Sequence, residues 1–354
     1  MIIEQKQLKG TPAKAMHYEA LDGVRAYAIM GIVLMHVRAN GKYAIDGFVY
    51  NTLITSFTNF VFLFMTVSAF GMCCGYYDKI LNQKITVEQF YTKRYQKIWP
   101  FFAALCMLDL IVSPSIDSVY EVFANLTLCF GLLPNANIEV IGVGWTLGVI
   151  FVFYMLFPFF CYLLANRKRA WLVFAISIAF NVLCQIYFFD TNHMSVRFRA
   201  RANIVYSAVY FFAGGLIYLY RDKISEISKH YWRVMLGLCG GAIVIYFAIG
   251  ESTMTTLLVS VALLIYALGD CRKGILINPV MKFLGGISFE IYLCHMVSFR
   301  ILEKLHLTHV VSNELIAYCI TAIGTIAGAI IFSVCARWLL SKVGELRINR
   351  DAKI

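Results

Sequence analysis

Residues 21–37 read LDGVRAYAIMGIVLMHV, an apolar segment that contains the two polar side chains Arg25 and His36. His36 follows Arg25 by eleven positions, and eleven steps of about 100° return a helix nearly to the same face. The two side chains are therefore expected on one stripe, roughly 16 Å apart along the helix axis. The stretch predicts a membrane-spanning helix with a polar stripe.

The spacing of charges in this segment favours a functional role for the stripe. A spanning helix needs about 20 residues, whereas Arg25 and Arg38 enclose only twelve positions. At least one cation is therefore expected at hydrocarbon depth, where ionisable groups normally line a protein interior or a wet cavity. The alternative is structural: Arg25 extends to the headgroups, and His36 is a hydrogen-bonding partner between helices.

The composition indicates an all-α polytopic membrane protein. The chain has 354 residues, of which 60% are hydrophobic and 14% charged, with a mean hydropathy of +0.72. It is too apolar for a soluble domain and too long for a single span, so the lipid bilayer is its predicted surrounding. The net charge of +11 does not predict nucleic-acid binding, because the basic residues alternate with apolar runs and follow membrane topology.

Ten apolar segments are predicted to span a cell (plasma or inner) membrane. They lie near 21–39, 48–76, 98–113, 143–165, 170–189, 204–220, 234–250, 254–269, 283–299 and 314–340. With a cytoplasmic N-terminus, most of the 31 lysines and arginines fall on the inner side. The sequence thus predicts a cytoplasmic segment over 1–20, one membrane domain over 21–340 and a cytoplasmic tail over 341–354.

Two segments depart from this simple pattern. Segment 122–134 is apolar but short, and we interpret it as a re-entrant or interfacial helix. The predicted outer loop 190–203 contains Arg197, Arg199 and Arg201, against the usual preference for cations inside. An anionic glycan, a lipid phosphate or the phosphates of a donor would explain these arginines as substrate-binding groups. The alternative is a solvated basic loop.

Three further patterns contain candidate site residues. The run FYTKRYQKIWP leads from Arg94 and Lys97 into the third segment, and a topological anchor explains it equally well. Trp145 opens the fourth segment, as residues of an interfacial aromatic belt do.

The third pattern is a polar stripe on the ninth segment. Ser288, Tyr292 and His295 recur at i, i+4 and i+7, so they share one helical face. This stripe predicts the wall of a hydrogen-bonded site, with packing between helices as the alternative.

Together these patterns resemble the type 3 acyltransferase family of integral membrane proteins. The resemblance covers about residues 20–335 in family order and rests on Leu21, Asp22, Gly23, Arg25 and His36; on Phe90, Arg94, Lys97, Ile98 and Pro100; on Trp145, Leu147, Phe153, Tyr154 and Pro158; and on Ser288 through His295. It implies O-acyl transfer, usually of acetyl, from a cytoplasmic coenzyme A thioester to a hydroxyl of a cell-surface glycan or its lipid-linked precursor.

The resemblance also implies site roles. His36 would be the essential histidine and Arg25 its partner, and a histidine suits the task of taking a proton from an acceptor hydroxyl. Arg94 and Lys97, with Arg25, would hold the phosphates of acyl-CoA. Trp145, the outer arginines and the Ser288–Tyr292–His295 stripe would contact substrate. No metal is expected.

Two positions depart from the family pattern. Ile150 and Phe151 stand where one or two glutamates are common, and Lys97 stands where an arginine is usual. The first departure puts an acid or base role for that segment in doubt. The second keeps the charge and loses bidentate hydrogen bonding.

Two other classes of function remain open from the sequence. One is a transporter or flippase for a charged or sugar-bearing substrate, with His36 and Arg25 lining its path. Neither paired broken helices nor an inverted repeat is evident in the sequence to favour it. The other is a membrane sensor without catalysis, suggested by the missing glutamates.

Overall fold

The computed structural model describes residues 18–133, 140–188, 200–270 and 272–351, and every regular element in these ranges is helical. The first half contains α1 (Glu19–Gly41), α2 (Val49–Leu81), α3 (Val87–Val112), α4 (Ile116–Leu126), α5 (Trp145–Leu164) and α6 (Arg167–Leu183). The second half contains α7 (Ile204–Leu219), α8 (Arg221–His230), α9 (Trp232–Ile249), α10 (Thr253–Gly269), α11 (Pro279–Gly286), α12 (Ser288–Lys304) and α13 (Glu314–Asp351).

Seven of these helices are long and apolar enough to cross a membrane, and the number is nine if two bent pairs each form one span. The bent pairs are α7 with α8, at 79°, and α11 with α12, at 74°. Each of the ten predicted apolar segments coincides with a helix, but ten spans are not confirmed. The helix α10, for example, has only 17 residues.

The two bent pairs were not evident in the sequence, and each is either a broken span or a re-entrant loop. In the first pair, α8 reads RDKISEISKH and is too polar to continue a span into the membrane. In the second, Asn278 caps the backbone N–H of Met281 and Pro279 occupies the first turn, so α11 begins here. The bend itself lies at Ile287, between the end of α11 and the start of α12.

The third helix starts earlier than its apolar segment. Thr86 and Gln89 form a capping box at the start of α3, so the basic run with Arg94 and Lys97 is helical and continuous with the predicted span. Segment 122–134 falls on the end of α4 and on a 3₁₀ turn at Phe130–Leu132, neither long enough to span; Pro134 lies outside the described residues.

The centre of the bundle is α1. Of its most apolar 18 residues, 67% are buried, compared with 17% for α9. It packs against α2, α10, α11, α12 and α13. Its contact with α11 is a backbone contact: a side chain at Gly285 would collide with the backbone of Asp22. This contact fixes the helix that precedes α12 next to the start of α1.

The last helix, α13, runs without a break from Glu314 to Asp351, a length of 38 residues. The residues predicted to form a separate tail, 341–354, therefore extend this helix as far as they are described.

Candidate active site

A cavity of about 580 Å³ is lined by residues of α1, α2, α3, α5, α11, α12 and α13. Its walls combine three kinds of group: cations, hydroxyls and apolar side chains. Among the lining residues are Arg25, Phe64, Ser68, Lys97, Pro100, Phe101, Thr146, Leu147, Ile150, Tyr154, Gly285, Ser288, Glu290, Tyr292, Leu293 and Arg337. The cavity thus brings together four predicted site residues from three helices: Arg25, Lys97, Ser288 and Tyr292.

The charged groups of the cavity are mostly cationic. The side chains of Arg25, Lys97 and Arg337 all line it. Arg25 donates from Nη1 to Asp22 Oδ1 at 3.2 Å. Arg337 donates from Nε to Glu290 Oε1 at 2.7 Å. Glu290 is an acidic residue that itself lines the cavity. Two of the three cations are thus paired with carboxylates, and Lys97 leaves the group with a net positive charge that favours an anionic ligand.

Arg94, the other predicted donor-binding residue, is not among the lining residues. Its Nη2 donates to the hydroxyl of Tyr76 at 2.5 Å, and its guanidinium carbon lies 4.6 Å from the centre of that ring. Nη1 points at Met72 Sδ at 3.3 Å. Arg94 therefore packs against α2, with its guanidinium carbon 5.9 Å from the ring centre of the cavity residue Tyr154, whereas Lys97 itself lines the cavity.

A group of hydroxyls forms one end of the cavity. Tyr292 donates to Thr146 Oγ1 at 2.7 Å and lies 3.1 Å from the carbonyl oxygen of Val143. The Ser288 hydroxyl donates to the carbonyl oxygen of Gly285, three residues earlier in the chain, at 2.9 Å. Ser288 and Tyr292, two of the three residues of the predicted stripe, thus line the cavity and are hydrogen-bonded to neighbouring groups.

Next to this end, two histidines face each other. The rings of His36 on α1 and His295 on α12 have centroids 5.0 Å apart and are tilted by 46°. The ring of Tyr292 lies 6.1 Å from that of His295. His36 is half-buried and His295 is completely buried, and neither is among the residues lining the cavity. Tyr292 therefore connects the cationic cavity with the histidine pair.

The other predicted substrate-binding residues lie elsewhere. Trp145 begins α5 and is half-buried, and its neighbour Thr146 lines the cavity while Trp145 does not. Arg197 and Arg199 lie outside the described residues. Arg201 binds Glu251 Oε1 at 2.7 Å and Asn59 Oδ1 at 2.6 Å, and lines a different cavity of about 380 Å³. The predicted roles of these four residues stay predictions.

The structure also adds residues that the sequence reasoning missed. Glu290 and Arg337 form an ion pair at the cavity, and Ser68 and Tyr154 hydroxyls lie 3.3 Å apart there. The sequence did contain a signal that could have identified Glu290, because a carboxylate within an apolar segment indicates a functional or paired group. Ile150, at a position of the family glutamates, lines the cavity with an apolar side chain.

No group of three or more His, Cys, Asp or Glu side chains placed to hold a metal ion occurs among the residues whose structure is described. The cavity is instead an arrangement of cations and hydroxyls.

A family model described as an acyltransferase domain matches residues 18–334, which is most of the chain. The chain belongs to the type 3 acyltransferase family. It is thus a multi-pass membrane protein of an acyltransferase family, as the resemblance implied. No curated protein and no solved structure matches it.

Proposed function

We propose that the protein is a membrane O-acyltransferase that uses acyl-CoA as donor, with acetyl as the transferred group. The acceptor is a hydroxyl of a cell-surface glycan or of its lipid-linked precursor. The observation that supports this function is the juxtaposition, along α1, of a cationic cavity at Arg25 with a histidine pair at His36.

Coenzyme A matches this arrangement in its charge distribution. Its phosphates lie at one end and its thioester at the end of a long flexible arm. In the proposed complex the phosphates bind near Arg25, Lys97 and Arg337, which supply the counter-charge. The arm extends past Tyr292, and the thioester reaches His36, roughly 16 Å along the helix from Arg25.

The proposed reaction uses His36 as general base. The imidazole takes the proton of the acceptor hydroxyl while the hydroxyl oxygen attacks the thioester carbonyl carbon. The carbon–sulfur bond then breaks, the new ester forms, and the imidazolium returns the proton to the sulfur of coenzyme A. The enzyme ends the cycle unchanged.

The proposed topology places the donor and the acceptor on opposite sides. Both termini are cytoplasmic in this proposal, so the Arg25 end of α1 faces the cytoplasm and the His36 end lies in the outer half of the bilayer. The donor enters from the inside and the acceptor from the outside of a plasma or inner membrane.

The test is thioester cleavage by the purified full chain in lipid nanodiscs, with acetyl-CoA as donor, water as the acceptor of the acetyl group and free thiol as the readout. We expect His36→Ala to lower the rate at least 100-fold, a typical contribution of a general base. His230→Ala, at the exposed end of α8, is the control and should keep the wild-type rate. Full activity of the His36 variant would exclude this role.

Mass spectrometry of surface glycans from cells with and without the protein tests the acceptor. An added acetyl mass in the presence of the protein supports the proposal. Transport of an unmodified glycan, with no thioester cleavage, would favour the alternative of a flippase.

A further inference from the structure

His295 has one nitrogen that is hydrogen-bonded and one that is not. Nδ1 lies 2.7 Å from the carbonyl oxygen of Tyr292 and 3.2 Å from that of Ile291. A carbonyl oxygen only accepts, so Nδ1 carries a proton. In the neutral ring Nε2 is then an acceptor. This atom is buried and has no hydrogen-bond partner among the residues that the structure describes.

A buried acceptor without a partner is unfavourable, and such groups are uncommon in folded proteins. The imidazole of His36, on α1, lies beside the ring of His295, with 5.0 Å between the two ring centroids. Two imidazoles joined by an N–H···N bond of about 2.9 Å have centroids about 5 Å apart. The separation of the rings therefore fits such a hydrogen bond, which requires a ring N–H of His36 to be turned toward His295 Nε2.

We propose that His295 is a positioning residue, whose Nε2 accepts a hydrogen bond from a ring N–H of His36. The proposal rests on the proposed function. This bond fixes the tautomer of His36, so that its other nitrogen presents a lone pair to the acceptor hydroxyl. In catalytic triads, too, a third residue orients the base that takes the proton of the attacking hydroxyl.

The same bond acts after proton transfer. His36 then carries two N–H groups: one remains bonded to His295 Nε2, and the other gives its proton to the sulfur of the leaving coenzyme A. His295 therefore keeps the same protons throughout and lowers the energy of the His36 imidazolium. In this role it touches neither substrate, and it replaces the substrate contact that the sequence suggested.

Two amide substitutions at His295 distinguish the role of Nδ1 from the role of Nε2. Asparagine places its amide at the position of Nδ1 and keeps the bond to Tyr292, but it has no group at Nε2. Glutamine places an amide oxygen near Nε2 and keeps an acceptor for His36. We expect His295→Asn to lower kcat for acetyl-CoA cleavage at least tenfold with an unchanged KM, and His295→Gln to keep more than a third of the wild-type kcat.

A wild-type kcat in His295→Asn overturns the proposal, as does an equal loss in both variants. If the asparagine variant fails to fold, His295→Met replaces it, because methionine and glutamine both lack the Nδ1 donor and differ in the acceptor. Equal rates in these two variants would then overturn the proposal. The His36→Ala assay, run in parallel, tests the proposed function separately. If His36→Ala loses activity while His295→Asn keeps the wild-type kcat, the positioning role of His295 is excluded and the proposed function stands.

Discussion

Lys97 and Arg94 lie one helical turn apart on α3, yet their surroundings differ. Lys97 lines the cationic cavity, whereas Arg94 is held by Tyr76 and Met72. On charge alone the two were equivalent candidates for donor binding. Their contacts now indicate that Lys97 is the better candidate for a phosphate contact and that Arg94 joins α3 to α2.

Replacing Lys97 with alanine is expected to weaken binding of coenzyme A roughly fivefold, or about 1 kcal/mol, at low ionic strength. The loss should be smaller in high salt, because screening already weakens the attraction between the ammonium and the phosphates. Titration calorimetry measures both affinities. The control is Lys93→Ala, an exposed lysine on the same helix outside the cavity; equal effects of the two variants would contradict the prediction.

How far the site could be predicted depends on the kind of signal. Arg25 and Tyr292 were recognisable because a polar group on an apolar helix needs an interior surface, and the structure brings both into one cavity. The ion pair of Glu290 with Arg337 joins α12 to α13. One sequence does not specify such a pairing, because helical periodicity defines a face and leaves its partner open.

At the scale of elements, helix starts were less predictable than apolar segments. The apolar run of the third span begins near residue 98, but the capping box at Thr86 starts α3 at Val87. Hydropathy reports which residues prefer lipid, while hydrogen bonds at the termini decide where a helix begins. The bend between α11 and α12 was missed for the same reason, since it depends on local backbone geometry.

The contact of α11 with α1 gives a prediction at this scale. A methyl group at Gly285 would collide with the backbone of Asp22, and backbone cannot yield as a side-chain tip does. We expect Gly285→Ala to lower stability by about 1–3 kcal/mol and to reduce acetyl-CoA cleavage, because Asp22 is bonded to Arg25 in the cavity.

Thermal unfolding in nanodiscs measures the stability change for this variant. The matched control is Gly286→Ala at the adjacent position, where an added methyl group meets no atom within 4 Å. A midpoint for Gly285→Ala equal to that of the control would show that the close approach is not needed.

At the scale of the whole molecule, the central place of α1 agrees with the polar stripe of the opening segment, while the family was recognised from four patterns together. The opening segment contains the Arg25 and His36 pattern, and the same helix is the most buried of the seven candidate spans. Burial of α1 follows physically from its stripe: a helix with polar groups at membrane depth is stable only where other helices surround it. The orientation of the bundle depends on charge outside the helices and is open to a direct test.

The proposed topology predicts opposite accessibility for two exposed positions. Ser312 lies between α12 and α13, which the proposal places outside, and Lys223 lies on α8, which it places inside. In intact cells an impermeant thiol reagent should label Ser312→Cys and leave Lys223→Cys unlabelled until lysis. Peptide mass spectrometry separates these sites from the native cysteines. The reverse pattern would put the Arg25 end of α1 outside, away from cytoplasmic acyl-CoA, and would exclude the proposed route of the donor.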